Sequence, residues 1–72
     1  MSTDHTSRMM LEIGGHRLAV THACGDWLIL RNPVDLPAGE GTLHLLTGRH
    51  YEREIVRLPS GIQAGRRRQP LG

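Results

Sequence analysis

Five His, one Cys and nine Arg are the residues of this 72-residue chain best able to do chemistry. His22-Ala23-Cys24 sets an imidazole and a thiol two residues apart, on one face of an extended segment. His16 falls on that same face by simple alternation, and His44 lies on a separate segment. A tetrahedral set of His and Cys is sound zinc chemistry. Structural zinc sites, however, draw their ligands from two close pairs, and this chain offers one. His16, His22, Cys24 and His44 are therefore weak metal candidates, and neither a metal nor another cofactor is expected. A Cys nucleophile needs a cationic neighbour and a pocket. Nothing in the spacing singles out such a pair, so Cys24 reads as a small residue at a strand end. Glu52 and Glu54 share strand parity and could pair for acid–base work. On an edge strand such charges have a simpler use, which is to keep the edge from aggregating. Gly14-Gly15-His16-Arg17 lacks the further glycines and the following helix of a phosphate-binding loop. The chain is expected not to be an enzyme.

Charge is the second source of chemistry. All nine cations are Arg, the formal net charge is +2 and the isoelectric point is about 9.5. That balance suggests nucleic acid, but the charge is unevenly placed. Residues 1–65 carry six Arg and all seven acids, and Arg66-Arg67-Arg68 supplies the excess. Arg49, Arg53 and Arg57 recur along the last hairpin before that triplet. Such a set could contact phosphates or an acidic protein groove. Binders of single strands interleave cations with aromatic platforms. Here Trp27 and Tyr51 are the only aromatics, and Trp27 sits in the apolar run Trp27-Leu28-Ile29-Leu30, where it reads as core. The aromatic signature of cold-shock domains is absent.

The elements that must position these residues are short strands. Gly, Pro or turn clusters interrupt the chain every six to ten residues, and the apolar positions alternate or run in short blocks. Gly14-Gly15 separates two alternating runs and suits a primed hairpin turn. Pairing outward from it puts Ile13 opposite His16, Leu11 opposite Leu18 and Met9 opposite Val20, with Glu12 opposite Arg17 and Met10 opposite Ala19 on the other face. A slip of one residue would destroy both the apolar face and the ion pair. Trp27 to Leu30 is apolar on both faces, as a strand covered on both sides would be. Residues 32–41 form the one long connection, with Val34 and Leu36 expected to pin it. Thr42 to Leu46 and Tyr51 to Leu58 complete the set. A loop of Gly48-Arg49 places Leu46 opposite Tyr51, whereas a three-residue loop changes every partner, so the register of this hairpin stays open.

The expected fold is all-β: a small five-stranded antiparallel meander, either a partly open barrel or a bent sheet. A flexible arm is expected over residues 1–8, the domain over 9–62 with Ile62 tucked onto it, and a basic flexible tail over 63–72. With no Phe, no possible internal disulfide and about fifty residues of body, such a domain is marginal as a monomer. The longest apolar run has four residues, far short of the roughly 20 that span a bilayer. The polar start lacks the apolar stretch of a secretory signal, so a cytoplasmic protein is expected. The functional expectation is a non-catalytic protein-interaction module or small accessory subunit, self-associating or docked on a larger assembly. The alternative is a nucleic-acid-binding small barrel that uses Arg49, Arg53, Arg57, Arg66, Arg67 and Arg68.

Overall fold

A computed structural model describes residues 7–72. The described residues form six strands and no helix: β1 (Ser7–Ile13), β2 (His16–Ala23), β3 (Trp27–Leu30), β4 (Gly39–Thr47), β5 (His50–Leu58) and β6 (Arg68–Pro70). They make one antiparallel sheet in the order β5-β4-β1-β2-β3-β6. No helix of the described residues is long and apolar enough to cross a membrane. The arm expected over residues 1–8 lies, up to residue 6, outside the described residues, and Ser7 and Arg8 already belong to β1.

The first hairpin folds as its alternation dictates. Gly14 and Gly15 have φ of 57° and 81°, the two positive angles of a type I′ turn. Met9 pairs with Val20, Leu11 with Leu18 and Ile13 with His16. Glu12 stands opposite Arg17, but the expected ion pair between them does not form: the Glu12 carboxylate meets the His44 ring on β4 instead. The second hairpin closes around Gly48-Arg49 and sets Leu46 opposite Tyr51, which resolves the open register in favour of the two-residue loop. Between the hairpins the meander is interrupted once. After residues 31–38 the chain does not lay β4 beside β3 but returns it to the far side of β1, where Leu43 meets Leu11 and Leu45 meets Met9. This placement lets the apolar rows of β1 and β4 extend one another.

The sheet curls around its apolar face. Leu11, Ile13, Val20, Leu28, Leu30, Leu43, Val56, Leu58 and Ile62 are buried there, with Met9, Leu18, Leu36 and Leu71 packed against them. Leu36 and Ile62 form a two-way backbone bridge, N–H to carbonyl at 2.8 and 2.9 Å, and this pins the long connection. Val34, expected to share that role, is exposed. Beside the bridge Gly61 has φ 67°, and a Cβ there would stand 2.0 Å from the Leu36 carbonyl oxygen. Only Gly lets the two segments approach so closely.

Two expectations are corrected at the far edge of the sheet. The strand Trp27 to Leu30 is not covered on both faces: Leu28 and Leu30 are buried, whereas Trp27 and Ile29 are half-buried on the outer surface of a single-layered sheet. A sixth strand, β6, arises within the stretch expected to be a flexible tail, and it pairs Arg68, Gln69 and Pro70 with Ile29, Leu28 and Trp27. The reason is Gln69. Its side chain is fully buried, its Nε2 donates to the carbonyls of Gln63 and Arg66 at 3.0 and 2.7 Å, and its Oε1 accepts from Gln63 N–H at 3.0 Å. One polar side chain thereby folds the Arg-rich loop back onto the body. Asp35 adds a second tie, accepting from the N–H of Ala64 at 2.8 Å.

Candidate functional site

β5 is one edge of the sheet and the longest exposed strand, nine residues from His50 to Leu58. The opposite edge, β6, has three residues and ends in Pro70. The curl nearly joins these edges at one end, where Gly72 N–H donates to the Arg57 carbonyl at 3.0 Å. Past that contact they diverge. The seam opens into a groove of about 740 Å³, with β5 from Glu52 to Arg57 on one wall and Ala23, Cys24, Gly25, Leu71 and Gly72 on the other. Met9, Leu43 and Leu45, from the apolar rows of β1 and β4, also line it.

The direction of each main-chain group on β5 follows from two observations. The Gly48-Arg49 loop makes Thr47–His50 the first pair of the hairpin, and alternate pairs from there exchange hydrogen bonds with β4. The Arg57 carbonyl accepts from Gly72, so it points away from β4. Both place the N–H and C=O groups of Glu52, Glu54 and Val56 in the ladder and those of Tyr51, Arg53 and Ile55 on the free edge. Side chains alternate independently. Glu52 and Glu54 share the groove face with buried Val56 and Leu58, and Tyr51, Arg53, Ile55 and Arg57 lie on the outer face.

A second cluster sits on that outer face. His44 Nε2 lies 3.0 Å from Glu12 Oε1, and His44 Nδ1 bonds the Tyr51 hydroxyl. The His44 and Tyr51 rings stack at 5.8 Å with an interplanar angle of 21°. An imidazole that donates from Nε2 to the carboxylate can accept from the phenol at Nδ1, so the three groups satisfy one another across β1, β4 and β5. The order carboxylate–imidazole–hydroxyl resembles a nucleophile relay. The cluster lies on the convex surface, however, and none of its members lines the groove. What it does is lock three strands in register.

This chain matches no protein-family model, no curated protein and no solved structure.

The residues singled out in the sequence scatter over this frame. Arg53 and Arg57 lie on β5 and border the groove. Arg57 is paired with Glu40 at 3.2 Å, and Arg68 lies over the Trp27 ring at 4.8 Å. Arg49 is exposed at the tip of the β4–β5 hairpin, and Arg66 and Arg67 are exposed in the loop before β6. The six arginines are thus divided between opposite edges of the sheet. Among the described residues no three His, Cys, Asp or Glu side chains gather as a metal-binding group. A β-bulge explains part of this. The register of β2 on β3 shifts between Val20 and His22, setting His22 opposite Ile29 and Ala23 opposite Leu28. His22 is thereby turned to the outer face, away from His16, with which simple alternation had grouped it. Among the described residues the His22 ring has one hydrogen-bond partner, Thr21 Oγ1 at 3.2 Å, and Cys24 is an exposed thiol on the groove wall.

The groove and the Glu12–His44–Tyr51 cluster were not visible in the sequence. Both depend on β4 lying beside β1, and Glu12 and His44 are 32 residues apart. No spacing rule links them. The alternation of Glu52, Glu54 and Val56 was the one available sign that β5 would present charge and apolar surface on one face of an edge.

Proposed function

We propose that this chain is a non-catalytic protein-interaction module, a small accessory subunit that takes a strand of its partner onto the free edge of β5. One observation carries the reading: the alternate edge residues Tyr51, Arg53 and Ile55 turn their main-chain groups away from β4, and Arg53 and Ile55 border an open groove lined by Met9, Leu43, Leu45 and Leu71. Strand addition uses these two features together, with main-chain hydrogen bonds for affinity and a side-chain surface for choice of partner. The exposed apolar side chains support it too. Leu46, Tyr51 and Ile55 are the three most exposed large hydrophobics among the described residues, and Tyr51 and Ile55 lie on β5 itself. Nucleic acid has less support. Arg57 and Arg68 are engaged by Glu40 and Trp27, Arg53 is flanked by two glutamates, and Trp27 is occupied as a platform.

The test combines capture with a main-chain lesion. Arg53→Pro removes an N–H that points to the free edge. Protein captured by the wild-type chain and lost by Arg53→Pro, with amide exchange slowed at Tyr51, Arg53 and Ile55 in the complex, supports strand addition. A partner held equally well by Arg53→Pro, or recovery of nucleic acid alone, overturns it.

A further inference from the structure

Resting on the strand-addition reading, we propose that the occupant of the β5 edge is an extended segment of a different protein, antiparallel to β5, with Lys or Arg at alternate positions on its groove face.

Charge on the groove face comes first. Glu52 and Glu54 stand two residues apart on that face, and across the ladder they meet Leu45 and Leu43, which are apolar. Neither carboxylate is in an ion pair among the described residues. A strand added at the free edge would bring its own side chains to about 5 Å from these carboxylates, close enough for cross-strand pairs to matter. Cations two residues apart on the incoming strand would meet both at once. The methylene stems of Lys or Arg would also lie along the floor made by Leu43 and Leu45, leaving the charged heads beside the carboxylates.

The same edge repels a second copy of itself. Two β5 strands related by a two-fold axis normal to the sheet pair antiparallel, with like faces on the same side. Centred on Tyr51, such a pairing is cut short, because Gly48-Arg49 is the turn and only His50 and Glu52 flank the centre. Centred on Glu52 or Glu54 it sets that carboxylate against its own copy. Centred on Arg53 it opposes Arg53 to Arg53 and Glu52 to Glu54. Centred on Ile55 it opposes Arg53 to Arg57. Every symmetric register centred from Glu52 to Ile55 therefore brings like charges face to face, which destabilises a sheet pair. Repulsion of self together with attraction for a complement is how specificity is built.

The complement can be written down. Running antiparallel, a five-residue segment opposite Ile55, Glu54, Arg53, Glu52 and Tyr51 reads apolar, cationic, acidic, cationic, apolar. The central acid meets Arg53 on the outer face, and the end residues extend the apolar surface of Ile55 and Tyr51.

The test uses the intact chain and three capped synthetic peptides with the cores Val-Lys-Glu-Lys-Val, Lys-Val-Glu-Val-Lys and Val-Glu-Lys-Glu-Val. The first two have the same composition, but only the first can set cations on both glutamates. Fluorescence-anisotropy titration at low salt should show the first binding at least about tenfold more tightly than either of the others. The preference should invert toward the third peptide in Glu52→Lys/Glu54→Lys, a substitution of two exposed side chains whose folding is checked by circular dichroism. Equal binding of all three, with slowed exchange at Tyr51, Arg53 and Ile55, overturns the charge rule and leaves strand addition standing. No peptide binding, or binding only of a labelled single-stranded oligonucleotide, overturns both.

Discussion

Gly72 donates its N–H to the carbonyl of Arg57 across 3.0 Å, and this single hydrogen bond joins two strands' ends that lie at opposite edges of a six-stranded sheet. It explains why the molecule is neither a closed barrel nor a flat sheet. The curl needed to bury nine apolar side chains brings the edges together at one end. Along the rest of β5, where Glu52 and Glu54 face inward, the edge turned away from β4 pairs with no strand among the described residues. The groove is the remainder of a closure that stops after one contact.

Gln69 should be the residue whose loss most disturbs the Arg-rich loop. It is fully buried and makes three hydrogen bonds to main-chain groups of Gln63 and Arg66. Gln69→Leu keeps much of the volume but strands those groups without partners, at a cost of about 1–3 kcal/mol. Urea unfolding should register the loss, and amide exchange at Gln63 should rise well beyond the change in global stability. An unchanged midpoint would mean that water replaces the amide and that Gln69 does not order the loop.

Gly61→Ala should cost at least about 2 kcal/mol, from a left-handed backbone angle and a collision together. The angle is 67°, and the added carbon would fall 2.0 Å from the Leu36 carbonyl oxygen. Thermal and urea denaturation measure the loss. A variant as stable as the parent would show that the Leu36–Ile62 bridge can open without consequence.

Glu12, His44 and Tyr51 should behave as one unit. Glu12→Met and Tyr51→Phe each remove one partner of His44 and should each lose about 0.5–1.5 kcal/mol. The two residues do not bond each other, so their coupling reports the imidazole between them. A double-mutant cycle should return an interaction of at least about 0.5 kcal/mol. Strict additivity would reduce the cluster to two independent surface contacts.

How much of this was legible beforehand depended on range. The first hairpin was readable to the residue because one slip would have turned Leu11 and Met9 outward and separated Glu12 from Arg17. The all-β class followed from turn spacing. The second hairpin was readable once a two-residue loop was assumed. What escaped was set by distant partners. β4 pairs with β1 because Leu43 and Leu45 complete the row of Leu11 and Met9, a fact of packing that no local pattern announces. Gln69 looked like a tail residue because its three partners lie in its own irregular loop. The bulge at Thr21 defeated alternation for His22, and Thr21 Oγ1 donates to the Ile29 carbonyl at 3.2 Å there.

Arg53→Pro and Glu54→Pro should differ sharply, although they are neighbours on one exposed strand. The N–H of Arg53 points to the free edge, so its loss removes no ladder bond and proline's absence of a donor matters little there. Stability should fall by no more than about 1 kcal/mol. Glu54 pairs with Leu43 in a ladder position, and its loss removes a hydrogen bond and leaves the Leu43 carbonyl without a donor, at a cost of at least about 2 kcal/mol. Chemical denaturation of the two variants reads the difference directly. If Glu54→Pro were the milder change, the main-chain groups of β5 would point the other way, and Glu52, Glu54 and Val56 rather than Tyr51, Arg53 and Ile55 would face the groove with their backbone.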